Sequence, residues 1–494
     1  MDEAVFPVSR ENALTVAGPE RPAYRRLQEN SRNILALAAL SGAVNAVCFT
    51  DAGGWGLNFP VCCAIWCVLA HRAAARLGLG NMRREGFWYG GILALALSIF
   101  WTANGFVQFV SAAGIVVLQC FWALSLAADV RPWHFFKAVS AVAQLLWRTL
   151  CRWLEPLRLM AGNRGGPSQW KQILLGLGLA FPMAVVALTL LSSADAVFRS
   201  IFASLTLPDS LGKGFRFLAR ALVVLDVFFA LLATQTADPV RQGQRVAKRF
   251  PTLVAVTFLT VLGVIYVVFS AIQIRVLFLR GGGLPEGWTY AEYAREGFFQ
   301  LLALSALNVL GVIVSQRRFE SSRALRGLLC LISGCTFIME LSSAWRMILY
   351  VQVYGLTFLR LLVLWFLAVL AVILSGTLIT VFRADFRLFS FSLVVCLAAW
   401  LVFAFARPDN LAAKYNLVRF GPDDPTLSLI RWELSADSVE ELVPYLAAHR
   451  GDVSEELDDY LKHVIPDRYD HAGLRGFNYS LWRARQVSEE YIHG

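Results

Sequence analysis

Residues 335–365 read CTFIMELSSAWRMILYVQVYGLTFLRLLVLW, and this stretch decides the fold. Two apolar runs flank a short polar break, which gives the outer half of one membrane helix, a tight turn, and the start of the next helix. Glu340, Arg346 and Arg360 sit inside otherwise apolar sequence. A charge at the bilayer centre costs at least about 2.5–3.5 kcal/mol on insertion scales, so such residues are expected to face the bundle and find partners.

Working outward, the whole chain follows the same pattern. Its 494 residues are 57% hydrophobic and only 16% charged, against about 25% charged in ordinary soluble domains. Apolar runs of membrane-crossing length recur at 33–50, 57–71, 87–102, 105–128, 173–194, 216–236, 251–271, 297–315, 327–353, 358–382 and 388–406. In hydrocarbon each backbone N–H and C=O must be satisfied within its own segment, which selects helices. The short alternating segments of a transmembrane barrel are absent. The expected fold class is therefore an all-α polytopic bundle of about eleven spans with the lipid bilayer as its solvent. The second run is interrupted by His71 and Arg72, so the first two could also form a re-entrant pair.

Three regions follow. Residues 1–32 are polar, with Pro7, Pro19 and Pro22 and several arginines; no apolar signal-peptide core follows, so the first run is expected to remain as an anchor. Residues 33–406 form the bundle. Residues 407–494 turn polar and helical, with the capping-box spacings Ser438-Val-Glu-Glu441 and Asp452-Val-Ser-Glu455.

Basic residues set the orientation. Arg72, Arg76, Arg83 and Arg84 fall on one side. So do the segment from Arg131 to Lys171, the cluster Arg241, Arg245, Lys248 and Arg249, and the group Arg317, Arg318, Arg323 and Arg326. The intervening loops are poorer in Lys and Arg. This predicts a cytoplasmic N-terminus and an extracytoplasmic C-terminal domain. The net charge of +10 is then a topology signal, and no nucleic-acid partner is expected. Residues 131–156 mix aromatics with His134, Lys137, Arg148 and Arg152, which suits a helix on the inner interface or a connector packed on the bundle.

At 100° per residue Glu340, Ser343, Arg346, Tyr350 and Tyr354 fall within about 120° of one helix face, with Thr357 as the N-cap of the next helix and Arg360 one turn in. Asp226 and Asn308 add polar groups near mid-depth in two other spans. Together Asp226, Asn308, Glu340, Ser343, Arg346, Tyr350 and Arg360 form the candidate polar cluster. In one reading Asp226 or Glu340 titrates in a cavity and couples ions to transport. In the other, acids and arginines pair to set helix register. An arginine beside a carboxylate lowers its pKa and makes it a poor proton carrier. No catalytic, cofactor-binding or metal-ligating signature is present: there is no CxxC, GxSxG, Walker A or HExxH sequence, and His449, His463 and His471 follow no metal-ligand spacing.

Several stretches resemble a family of bacterial polytopic membrane proteins of unknown function (domain of unknown function 4173, close to 4153). They are Tyr293-Ala-Arg-Glu-Gly-Phe-Phe299 running to Asn308, Arg346-Met-Ile-Leu-Tyr350 with Tyr354-Gly-Leu-Thr-Phe-Leu-Arg360, Tyr415-Asn-Leu-Val-Arg-Phe420, Leu434-Ser-Ala-Asp437, and Ser193-Ala-Asp195 with Val197-Phe198. The sequence departs at Ser438-Val439-Glu440, where the family has Val-Pro, and at a lengthened GPDDP over 421–425. The resemblance implies a membrane location and a helical tail, with no activity or site residues to carry over. The expected role is a binding or signalling platform of the bacterial inner membrane that meets a protein partner through its C-terminal domain. An ion- or proton-coupled transporter using Asp226 and Glu340 competes with it, as does an enzyme that holds lipid-linked phosphate with Arg346 and Arg360.

Overall fold

Helix ends in this protein are marked by short polar side chains. Asn81, Asn104, Ser322 and Thr357 each accept a hydrogen bond from a backbone N–H in the first turn of the helix they open, which satisfies one of the donors that a helix start leaves unpaired. Gly355 closes one long helix with φ +77°, a conformation that costs glycine nothing. In this computed structural model the described residues are 22–50, 54–156, 209–237, 250–275, 298–383, 385–421, 424–448, 461, 465 and 473–493.

In chain order the described helices are α1 (Pro22–Glu29), α2 (Ser31–Phe49), α3 (Asn58–Arg76), α4 (Met82–Trp101), α5 (Gly105–Ala127), α6 (Phe135–Cys151), α7 (Asp209–Ala237) and α8 (Thr252–Ile274). Then come α9 (Phe298–Arg318), α10 (Arg323–Tyr354), α11 (Phe358–Phe382), α12 (Leu388–Phe405), α13 (Pro408–Phe420), α14 (Asp424–Trp432), α15 (Val439–Ala448) and α16 (Tyr479–His493). No strand occurs among the described residues. The chain is an all-α, multi-pass membrane protein: among these residues nine helices are long and apolar enough to cross a bilayer, and Glu85–Trp101 is a shorter apolar helix beside them. The expected span at 173–194, the loop at 272–296 beyond Arg275 and most of the tail histidine region lie outside the described residues. The first two apolar runs fold as antiparallel neighbours, with α3 continuing through His71 to Arg76. The imidazole of His71 meets the Glu85 carboxylate at 3.0 Å.

Two helix groups result. α1 to α7 pack around one core that includes Trp88, Phe121, Trp122 and Phe229. α8 to α11 form a second group around Leu259, Leu329 and Met339. α12 lies between α4 and α11, and its Trp400 donates to the Ser111 hydroxyl of α5 at 3.0 Å. Small residues let backbones approach without a hydrophobic driving force in lipid. Gly42 of α2 shows this, since a methyl there would meet the Ala221 carbonyl of α7. α6 packs Ala138, Ala141 and Leu145 inward. It exposes Phe135, Phe136, Val139, Leu146, Trp147 and Leu150, a face whose chemistry suits an acyl boundary.

The chain turns sharply after α12 at Arg407, the one described non-glycine residue with positive φ (53°). α13 to α16 then fold back over one end of the bundle. Their core of Ala412, Leu417, Ile430, Val439 and Leu442 is continuous with Val351 of α10 and with Leu356 of the α10–α11 turn. The cap is thus built against the bundle. At the start of α15 the Ser438 hydroxyl donates back to the Ser435 carbonyl at 2.7 Å. A short 3₁₀ turn, Ala436–Ser438, precedes the helix and moves the capping role to Ser435, which accepts from Asp437 N–H.

Candidate functional site

The six candidates outside α7 all lie on helices of the second group. Asn308 (α9) joins three of them: its amide oxygen accepts from Tyr266 of α8 at 2.7 Å, and its amide nitrogen donates to Thr336 of α10 at 3.0 Å. Both bonds are buried, so α8, α9 and α10 are registered by a satisfied polar network. Four residues further along α10, Glu340 is 4% exposed. Neither of its carboxylate oxygens has a hydrogen-bond partner among the described residues.

Among the described residues Glu340 does not pair with Arg346. Arg346 instead donates to Gln273 of α8 at 3.4 Å, and the same amide oxygen accepts from Ser342 at 2.7 Å. The physical reason is helical spacing. Residues six apart stand about 9 Å apart along the axis and away from the neighbouring i+3 and i+4 positions, so Arg346 finds an acceptor on the facing helix first. Ser343 donates to the Met339 carbonyl of its own helix. Arg360 staples the α10–α11 turn, donating to the Tyr354 and Gly355 carbonyls at 2.7 and 2.5 Å, with its guanidinium 4.2 Å from the Tyr350 ring centre. Asp226 stands apart on α7, whose main neighbours are α2, α6, α5 and α1. Its Oδ2 is buried without a hydrogen-bond partner among the described residues.

A second constellation, which the sequence reading did not find, joins the cap to the bundle. Asp437 is fully buried. It accepts from the Thr102 hydroxyl, from Ala103 N–H at 2.8 Å and from the Ser480 hydroxyl. Asp409 accepts from the Asn104 amide at 2.8 Å and from Ser435 N–H at 3.0 Å. Asn478 donates to the Ile99 and Thr102 carbonyls at 3.1 and 2.9 Å, and Arg475 donates to the Val47 and Thr50 carbonyls at 2.6 and 3.1 Å. On the other helix group, Asn416 clamps the α10–α11 turn through Leu356, accepting from its N–H at 2.7 Å and donating to its carbonyl at 2.8 Å. Leu356 and Asn416 belong to two of the segments that carry the family resemblance. The weak signal for this joint was a polar Thr102-Ala-Asn104-Gly turn between two apolar runs, together with lone Asn and Asp residues in the tail. None of these is specific by itself.

The electrostatics of the joint oppose one another. Burial pushes the Glu440 carboxyl up, but hydrogen bonds and charge from Arg407 and Arg483 outweigh this and hold it below the usual range. Burial raises Asp409, and the nearby Asp437 charge adds to it against hydrogen bonds from Ser435 and Asn104. A lowered carboxyl gives stability present above its ordinary value and lost as pH falls. A raised one costs nothing below its ordinary value; the cost grows as pH rises from there to the folded value and is constant above it. Above the ordinary carboxylate range the Glu440 contribution is constant, so the cap is expected to loosen as pH rises from the ordinary carboxylate value toward the raised value of Asp409, and to tighten as pH falls back through that interval. Asp409→Asn should flatten this dependence. Amide hydrogen exchange over α15 at a series of pH values checks it, and a variant profile parallel to wild type would refute the assignment.

Among the described residues no three His, Cys, Asp or Glu side chains converge as metal ligands. No curated protein and no solved structure matches this chain. Residues 89–445 match the family described as domain of unknown function DUF4153. That match runs from within α4 to α15, across both helix groups and the clamp that Asn416 makes, and on it the chain belongs to the DUF4153 family.

Proposed function

We propose that this protein acts by binding in the cytoplasmic membrane of a bacterium, with its N-terminus cytoplasmic and its cap outside, so that a partner engaged by the cap is sensed by the bundle. The orientation rests on the basic loops gathered at the opposite ends of the helices. One observation carries the reading. Polar side chains of the cap hold turns of both helix groups at once, Asp437 and Asn478 on the α4–α5 turn and Asn416 on the α10–α11 turn. A shift of the cap would therefore move one group against the other, which is the two-state element that signalling requires. The cap also leaves Val418 and Trp432 strongly exposed.

Transport is the second reading, supported by the Glu340 carboxylate, buried and without a partner among the described residues, on the same helix whose Ser342 and Arg346 both donate to Gln273. Buried ionisable groups in membrane helices are often ion or proton relays. The two readings separate in a strain lacking the chain, with its transcriptional response as readout and membrane abundance measured alongside. Binding predicts that Val418→Ser with Trp432→Ser fails to restore the wild-type response at normal abundance, while Glu340→Gln restores it. Transport predicts the reverse. Full restoration by both variants would sink both readings.

A further inference from the structure

At the end of the bundle opposite the cap, a cavity of about 920 Å³ opens between the two helix groups. It is bounded by the end of α9, the start of α10, the end of α11, the start of α12 and the loop between α5 and α6. Its described lining includes three arginines, Arg317, Arg326 and Arg387, and one carboxylate, Asp385, together with His134. Two lining residues carry buried donors with no hydrogen-bond partner among the described residues, Arg317 at Nη1 and Gln316 at Nε2. The Gln316 oxygen already accepts from the Thr380 hydroxyl at 2.7 Å. The wall thus offers unmatched donors and surplus positive charge. A buried donor left without an acceptor forfeits its solvation with nothing in return. The N-terminus of the 18-residue helix α12 also opens here, at Arg387 to Phe389, and a helix start favours anions.

A phosphate group meets these demands. Its oxygens only accept, and guanidinium groups bind them with charge-assisted bonds. The volume is far larger than inorganic phosphate needs, so the site has room for a substituent. Phe389 also lines an adjoining cavity of about 340 Å³ with Trp88, Leu393 and Val394 on its wall, an apolar surface beside the charged one. We propose that this cavity binds a phosphate ester, presented either by an anionic membrane lipid or by a free small-molecule ester.

The test uses the full chain in detergent after lipid depletion, read by native mass spectrometry. The probes are phosphatidylglycerol, zwitterionic phosphatidylcholine and glycerol 3-phosphate. Phosphatidylglycerol is expected to bind at least about tenfold better than phosphatidylcholine. Arg326→Gln with Arg387→Gln should remove most of that preference. Both side chains are exposed, so the fold should survive, and a thermal melt checks it. Arg317→Gln should act in the same direction, whereas Arg76→Gln, an exposed arginine at the end of α3, should not. Binding of glycerol 3-phosphate alone, lost in the same double variant, would identify a free ester as the source. Binding of the lipid alone would identify the headgroup. The proposal is overturned if the folded double variant binds all probes like wild type, or if Arg76→Gln weakens binding as much.

Discussion

Replacing Asp437 by alanine is expected to release the cap from the bundle. The residue is fully buried, and its carboxylate serves three donors from two segments: Thr102 and Ala103 on the α4–α5 turn, and Ser480 in α16. Truncation would leave all three donors in a space closed to water. Bonds to a charged acceptor are worth about 1.5–3 kcal/mol each and are not additive, so the expected loss is about 3–5 kcal/mol. Because the loss falls on the cap, local opening should respond before the whole bundle does. Amide exchange over α15 should accelerate by about a hundredfold or more, while α8 and α10 exchange as in wild type. Exchange within about threefold of wild type would mean that Asn478, Arg475 and Asn416 hold the cap without it.

The second large effect has the opposite sign. Glu340→Leu is expected to stabilise the bundle by about 1–3 kcal/mol, because a buried polar group without a hydrogen bond is replaced by an apolar one of similar length. Thermal unfolding in a single detergent measures this. Proteins retain such a costly group for what it does, so a gain in melting temperature combined with lost biological response would place Glu340 in the working part of the molecule. A lower melting temperature would instead show that the carboxylate is bonded in the folded protein.

The helices were legible in the sequence because their cause is local. A membrane-length apolar run must satisfy its own backbone wherever it lies. Thr357 was legible as a cap for the same reason, since its bond is to the turn that follows it. The partners of the charged residues were not legible. Arg346 takes Gln273, which lies 73 residues away and on another helix, and nothing in the periodicity of α10 points to α8. Glu340 to Tyr350 lie on one continuous helix, α10, yet the groups that face them come from tertiary packing. The cap joint was hidden more deeply. Asp437 and Asn478 look like ordinary polar residues of a soluble tail until the fold brings backbone carbonyls of distant turns against them. The capping-box spacing at Ser438 did mark where α15 begins, at Val439, although Ser438 itself ends a 3₁₀ turn and donates to the Ser435 carbonyl.

The position of Arg475 bears on how this protein is made. It binds the carbonyls of Val47 and Thr50, 428 and 425 residues earlier in the chain, and Asn478 reaches back to Ile99 and Thr102 across 379 and 376 residues. During synthesis, at about 5–20 residues per second, those turns emerge some tens of seconds before their partners exist. Until then the ends of α2 and α4 must stay hydrated or be held by an assembly factor. A chain stopped short of residue 475 would insert its helices and still lack its closing contacts, which gives a membrane protease a simple criterion for separating finished molecules from truncated ones.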